Sequence, residues 1–148
     1  MTTDGRRRLP RFFFLFMGVA SFFLALYVAG AAEADPCAEG VSRQGSLAVV
    51  TRQCADEARR DNTIVLSKVA IKARLDKKGR LRGYEAVEID KGSAVERMGF
   101  MPHDLLTSVN GIPARDLNTR RRSLESADRF DITILRKGRA QKIRLEIR

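Results

Sequence analysis

The sequence predicts a small α+β domain of five or six short strands and two helices, behind one N-terminal transmembrane helix. Residues 12–32 form an uncharged run of 21 residues that holds six of the eight Phe, and this length suits a membrane span. From residue 64 onward, apolar residues recur in short stretches separated by Gly-containing turns, a pattern typical of strands. Residues 33–148 number 116, which is enough for one small domain.

Basic residues directly precede the apolar run: Arg6, Arg7, Arg8 and Arg11. Because positive charge stays in the cytoplasm, the C-terminal part is predicted to be exported. The run is longer than the core of a signal peptide, which favours a retained single-pass anchor. The alternative is a cleaved signal peptide, with Ala32-Glu33-Ala34 as a small-x-small cleavage site. The predicted parts are a basic cytoplasmic stub (1–11), the anchor (12–32), an exported linker (33–63) and the folded domain (64–148).

The linker contains the two cysteines, Cys37 and Cys54. In an oxidising compartment an even pair predicts a disulfide, and two free thiols are the alternative. Apolar residues at spacings of three and four predict a helix over 46–60, with Ser46 as its N-cap. The bond would tie the segment after the anchor to this helix.

The folded domain is predicted from its apolar periodicity and its turn residues. In chain order, the predicted elements are a helical turn and strand over 64–75, a strand over 81–89, a helix over 94–98, a strand over 105–109, a helix over 117–126, and strands over 130–134 and 143–147. Ser93 caps the first helix and Gly99 ends it. Asn110-Gly111 and Lys137-Gly138 mark turns, and Leu117 and Leu124 are predicted core residues of the second helix.

Charge and composition narrow the classes of function. The net charge is +10, and from Asp35 onward 24 Lys and Arg oppose 16 Asp and Glu, which favours acidic partners or an anionic membrane surface. The single His, His103, leaves no His cluster for a metal and no assembled acid, base and nucleophile. Export and the absence of Trp argue against nucleic acid. The sequence therefore predicts a binding protein, without catalytic residues, metal, cofactor or small-molecule substrate.

The stretch from Gly92 to Gly111, GSAVERMGFMPHDLLTSVNG, resembles the bacterial PDZ pattern. That pattern is a small-residue helix start, then Gly-apolar-x-Pro-Gly-Asp, then an apolar strand ending in Asn-Gly. His103 stands where a Gly is usual. The resemblance covers about residues 64–147 and implies a PDZ fold, which binds an extended peptide by adding it to a sheet edge.

The resemblance also implies a binding site at Arg82-Gly83-Tyr84-Glu85-Ala86-Val87, where exported bacterial PDZ domains receive a peptide carboxylate. Gly83 would leave backbone N–H groups approachable, and Arg82 would favour an anionic group. Glu85 stands where an apolar residue is expected and Ala86 replaces a Gly. These departures favour an internal segment or a folded partner over a C-terminal carboxylate.

Three consecutive arginines, Arg120, Arg121 and Arg122, lie on the predicted second helix. One hypothesis is a docking patch for an acidic segment, and the other is a solvated helix face.

The order of stub, span, linker and PDZ domain resembles the inner-membrane C component of the type II secretion system. This resemblance implies a location in a bacterial inner membrane with the C-terminal domain in the periplasm. It also implies a secretion-platform or secretin component as the partner. The family has a further folded region between span and PDZ domain, whereas here only residues 33–63 intervene. The alternative is an adaptor of a periplasmic serine protease, which would act through its partner because this chain has no protease domain.

Overall fold

The computed structural model describes residues 35–61 and 63–148. The predicted stub and anchor lie outside these residues, and none of the helices that are described is long and apolar enough to cross a membrane. The helices are α1 Pro36–Glu39, α2 Arg52–Arg60, α3 Thr63–Leu66, α4 Ala94–Arg97 and α5 Arg121–Glu125, with a 3-10 turn at Ala114–Asp116. The strands are β1 Val41–Gln44, β2 Leu47–Val50, β3 Val69–Leu75, β4 Leu81–Ile89, β5 Leu105–Val109, β6 Ile112–Pro113, β7 Arg129–Arg136 and β8 Arg139–Ile147.

All eight strands belong to one sheet, in the order β1-β2-β8-β7-β5-β4-β3, with β6 paired to β5. The pairing of β2 with β8 is parallel, and every other pairing is antiparallel. Strands β1 and β3 are the outer strands, so within the described residues each has one edge that no other strand covers. Such an edge presents unpaired backbone N–H and C=O groups.

The elements after residue 64 follow the predicted order. Ser93 accepts a hydrogen bond from the Glu96 N–H (3.3 Å) at the start of α4, and Gly99 ends that helix at φ 103°. The helix predicted over 117–126 is shorter, because a 3-10 turn and a further turn occupy 114–120 before α5 begins. Leu117 and Leu124 are both buried, as predicted.

Residues 41–50 differ from the prediction, which placed them in a linker and at the start of a helix. They form the β1–β2 hairpin, turned at Gly45 with φ 62°. The helix begins only after Thr51, whose hydroxyl accepts a hydrogen bond from the Cys54 N–H (3.3 Å). The apolar spacing around Leu47 and Val50 fits a helix locally, but parallel pairing with β8 selects the strand. The segment predicted as a linker is therefore part of the sheet.

The core is continuous across this segment and the rest of the domain. Residues of β2 and α2 pack with residues of β7 and β8 in one buried cluster: Ala48, Val50, Cys54, Ala55 and Ala58 with Phe130, Ile132, Ile134, Ile143 and Leu145. Cys37 and Cys54 are both buried and form a disulfide, with their Cα atoms 5.1 Å apart. The predicted disulfide is confirmed, and it links α1 to α2.

Candidate functional site

The predicted site at residues 82–87 lies on β4, in the interior of the sheet. Gly83 is opposite Arg74 of β3 on one side, and Tyr84 is opposite Leu106 of β5 on the other. An extended peptide cannot be added where both edges of a strand are already paired. A peptide therefore has no free edge of β4 to pair with beside Gly83 and Tyr84, and a role of residues 82–87 in binding a partner stays a prediction.

Gly83 has a packing role at this position. A Cβ atom on Gly83 would lie 2.4 Å from the backbone oxygen of Leu106 and 3.1 Å from side-chain atoms of Leu105. Real Cβ atoms do not approach a backbone oxygen so closely, so the close approach of β5 requires glycine. The prediction was that Gly83 leaves backbone N–H groups approachable for a ligand, whereas the close contact in the structure is with the neighbouring strand β5.

The uncovered edge beside this stretch belongs to β3. On β4, the Ala86 N–H donates to the Asp104 carbonyl (2.9 Å), and the Ala86 carbonyl accepts from the His103 N–H (2.6 Å). The backbone groups of Ala86 therefore point to the β5 side. Because these groups alternate from side to side along a strand, those of Glu85 point to β3, where Glu85 is opposite Lys72.

The same alternation gives the direction of the backbone groups on β3. Since the groups of Lys72 point inward to β4, those of Ile71 and Ala73 point outward to the uncovered edge. Ala73 is exposed and Ile71 is partly buried. Leu75, at the end of the strand, is an exposed large apolar side chain at 62%. The edge therefore offers backbone donors and acceptors together with apolar side chains.

The end of the β3–β4 hairpin is strongly basic. Residues 72–82, called the basic tip below, contain six basic residues and one acidic residue, Asp76. All six basic side chains are exposed: Lys72, Arg74, Lys77, Lys78, Arg80 and Arg82. Arg80 pairs with Asp76 at 2.9 Å, and Arg74 pairs with Glu85. Among the described residues, the other four have no ion-pair partner, so this surface attracts negative charge.

Glu85 is held between the edge strand and the loop before β5. Its carboxylate accepts a hydrogen bond from Arg74 Nε (2.6 Å) and lies 3.5 Å from His103 Nδ1. The Arg74 guanidinium, and then His103, hold the pKa of Glu85 below its ordinary value. A negative charge at Glu85 is therefore already neutralised, and it does not repel an acidic ligand as a free carboxylate would.

Asp104 and Arg136 form a buried ion pair behind this loop. Asp104 accepts hydrogen bonds from Arg136 Nε (2.8 Å) and Nη2 (2.7 Å), and from the Met101 N–H (2.8 Å). Arg136 also donates to the Gly99 carbonyl (2.8 Å), and the Asp104 carboxylate raises its pKa. No signal in the sequence points to Arg136 as the partner of Asp104, because the two residues are 32 positions apart.

A small apolar hollow lies beneath β3 and β4, with a volume of ≈ 20 Å³. It is lined by Val69, Ile71, Tyr84, Ala86, Val95, Phe100, Asp104 and Leu106. Ligand pockets measure roughly 300–1,000 Å³, so this hollow has the size of a packing defect. Burial raises the pKa of Tyr84, which leaves its phenol neutral. In the described part of the chain, no group of three His, Cys, Asp or Glu is placed to hold a metal ion.

The three arginines of the second helix are exposed at the start of α5. Arg121 pairs with Glu125 one turn along the helix. Arg120 and Arg122 form no ion pair among the described residues. The role of these three arginines in docking stays a prediction.

From residue 92 to residue 111 the chain contains a short helix, a loop and a strand that ends in Asn110-Gly111, in the order of the PDZ pattern. Comparison with protein-family models gives no match, and no curated protein matches. Two chains of the PDZ domain of EpsC from Vibrio cholerae each match 53% of this chain, at 18% identity and a TM-score of 0.44. The matches cover 76% and 92% of those two chains.

A further match is the PDZ domain of the pullulanase C protein of the type II secretion system from Klebsiella pneumoniae, solved in complex with fatty acid. It is 25% identical, covers 55% of this chain and 86% of that one, and has a TM-score of 0.45. The solved structures that resemble this chain are thus PDZ domains, the class of domain that the resemblance of Gly92–Gly111 implies.

Proposed function

We propose that this chain is a membrane-anchored periplasmic interaction module that binds an extended acidic segment of an envelope protein in a type II secretion pathway. The segment pairs with the uncovered edge of β3 and contacts the basic tip. The observation that carries the proposal is this edge, which lies directly beside six exposed basic residues. The C-component-like order of stub, span and PDZ motif in the sequence supports the anchor and the pathway.

The proposed contact combines two kinds of interaction. The outward backbone groups of Ile71 and Ala73 pair with the segment as a strand, which gives affinity without demanding a particular sequence. The cations of the basic tip select acidic side chains, and because they are solvent-exposed their contribution falls with salt. Leu75 supplies an exposed apolar contact. Binding is therefore weak, sensitive to salt and selective for acidic strands.

The backbone contact is tested by substituting one residue of the edge in two ways. Ala73→Pro removes the outward N–H, whereas Ala73→Val keeps it and suits a strand. The probe is a fluorescent decapeptide of alternating Glu and Val, titrated onto the full chain in detergent. We expect Ala73→Pro to weaken binding about tenfold, which corresponds to roughly 1.4 kcal/mol, and Ala73→Val to bind as the wild type does. Equal affinities for the two variants, both shown to be folded by circular dichroism, would overturn the assignment of the β3 edge.

The charge contact is tested by making the same change of charge on two different surfaces of the domain. The double substitution Lys77→Glu and Lys78→Glu alters the basic tip, and Lys137→Glu with Lys142→Glu alters the β7–β8 hairpin by the same amount. Only the first pair should weaken binding of the peptide and reduce its dependence on salt. Replacing Arg120, Arg121 and Arg122 with Ala distinguishes the two hypotheses for α5, because weaker binding would place them in the site and unchanged binding would leave them a solvated face.

A further inference from the structure

We propose that the acidic strand belongs to another inner-membrane protein and lies close to that protein's own membrane span. This inference rests on the proposed function and specifies its partner. It follows from the few residues between the predicted anchor and the domain, and from the way in which Asp35 is fixed to the domain.

Asp35 is the first residue of the rigid part. Its carboxylate accepts hydrogen bonds from the Cys37 N–H (3.0 Å) and from the Ala94 N–H of α4 (3.3 Å). Its carbonyl accepts from the Ala38 N–H (2.9 Å). Two residues further on, Cys37 is fully buried and bonded to Cys54 of α2. Asp35 is thus fixed to two helices of the domain, and it cannot act as part of a flexible linker.

The predicted anchor ends at residue 32, so only Glu33 and Ala34 separate it from Asp35. Three Cα–Cα steps span at most about 11 Å. The domain surface around Asp35 therefore lies close to the membrane in which residues 12–32 are anchored. Because the chain is fixed to the domain from Asp35 onward, residues 33–63 cannot extend as a flexible linker of the same length would.

The edge of β3 begins on this same side of the domain. Lys68, which directly precedes β3, lines an open hollow together with Asp35 and Asp90. The Lys68 carbonyl accepts a hydrogen bond from the Asp90 N–H (2.8 Å), which fixes the start of the strand there. The seven residues of β3 span about 23 Å at the usual strand rise. The whole edge therefore lies within a few tens of ångströms of the anchor, and the basic tip is at its far end.

This placement determines which proteins reach the edge most readily. A segment next to a membrane span meets β3 with few residues of tether, whereas a partner in the outer membrane must extend across the periplasm. Confinement of both proteins to one membrane raises the effective concentration of the segment, which offsets a weak contact. The acidic residues of the segment face the basic tip, at the end of the strand remote from Lys68.

The test uses the full chain reconstituted in liposomes, with Ala70, an exposed residue of β3, replaced by the photo-crosslinker p-benzoylphenylalanine. The Glu/Val decapeptide is added free in solution or linked to a lipid headgroup through a spacer of two or twenty residues. Crosslinking from Ser42, exposed on the other outer strand, serves as the control position. We expect the two-residue spacer to give at least as much adduct at position 70 as the twenty-residue spacer, and little at position 42.

Adduct with the long spacer alone would show that the edge is out of reach of a segment at the membrane, and it would overturn this inference while leaving the proposed function intact. No adduct with any peptide, free or lipid-linked, would instead overturn the proposed function. A flexible Gly-Ser insert of twenty residues between Ala34 and Asp35 is the second variant. It should lower the short-spacer yield several-fold by diluting the edge, and leave the yield with free peptide unchanged; an unchanged short-spacer yield would contradict the inference.

Discussion

The ion pair between Asp104 and Arg136 shows how single residues fix the loop beside the candidate site. Asp104 is only 2% exposed, and a buried carboxylate is tolerated only when it is paired and hydrogen-bonded. Arg136 meets this need and also bonds the Gly99 carbonyl, so one side chain connects the end of α4, the loop and β7. The position of His103, and with it one partner of Glu85, depends on this arrangement.

Asp104→Asn should lower the free energy of unfolding by about 3 kcal/mol, because it leaves a largely buried guanidinium without its counter-charge. The measurement is urea unfolding of the full chain in detergent. Asp128→Asn is the matched control, since Asp128 pairs with Arg52 at the exposed surface, where such a pair contributes less than about 1 kcal/mol. An equal decrease in the free energy of unfolding for the two variants would show that the buried ion pair stabilises the fold no more than the exposed pair does.

At the scale of elements, the disulfide joins α1 to α2 and so connects the segment after the predicted anchor to the sheet. The two cysteines are 17 residues apart, and between them lies the β1–β2 hairpin. Thr51 begins α2, and its N–H also donates to the Gly40 carbonyl (2.8 Å). The disulfide therefore closes a unit, residues 37–54, whose two ends are already held together by this hydrogen bond.

Removing this bond by Cys37→Ala with Cys54→Ala should cost about 3 kcal/mol of stability, the value that loop entropy gives for a closed loop of this length. The urea midpoint of the full chain, with and without dithiothreitol, is the measurement. Reductant should lower the midpoint of the wild type towards that of the double variant, and should leave the double variant unchanged. A loss below about 1 kcal/mol would mean that hairpin pairing alone orders this unit.

For the whole molecule, the sheet and core extend across the boundary at residue 64 that the sequence suggests. Strand β2 covers the edge of β8, with Ala48 opposite Leu145 and Val50 opposite Ile147. All four of these side chains are buried. A domain starting at residue 64 would therefore expose apolar surface and an unpaired strand edge.

Residues 35–148 should accordingly unfold in one cooperative transition, whereas residues 64–148 should show no sharp transition and poor dispersion of amide resonances. Thermal unfolding and a proton–nitrogen correlation spectrum of the two fragments are the measurements. If the shorter fragment unfolds at the same temperature as the longer one, residues 35–63 do not contribute to the stability of the core.

The sequence determined the local features of this protein. Alternating apolar residues placed strands β3 to β5 and β7 to β8, and Ser93 and Gly99 marked the two ends of α4. Asn110 and Lys137, at turns that the sequence marked, adopt positive φ of 50° and 51°. The disulfide could be predicted from the cysteine pair, because two cysteines leave only one pairing. The strands, the helix ends and the turns depend on residues that are close together in the chain, and the disulfide has only one possible pairing.

Only the tertiary structure decided which strands are outer and which are inner. A stretch such as Gly83–Val87 has the composition of a strand in either position. One of its neighbours, Lys72, comes from the same hairpin, but the other, Leu106, comes from a strand beyond α4. The same reason hides the parallel pairing of β2 with β8 and the partner of Asp104. Sequence periodicity gives the face of a strand, but hydrogen bonds between strands depend on non-local pairing. The uncovered edge beside the predicted residues of β4 is therefore that of β3, which follows only from the pairing of the strands.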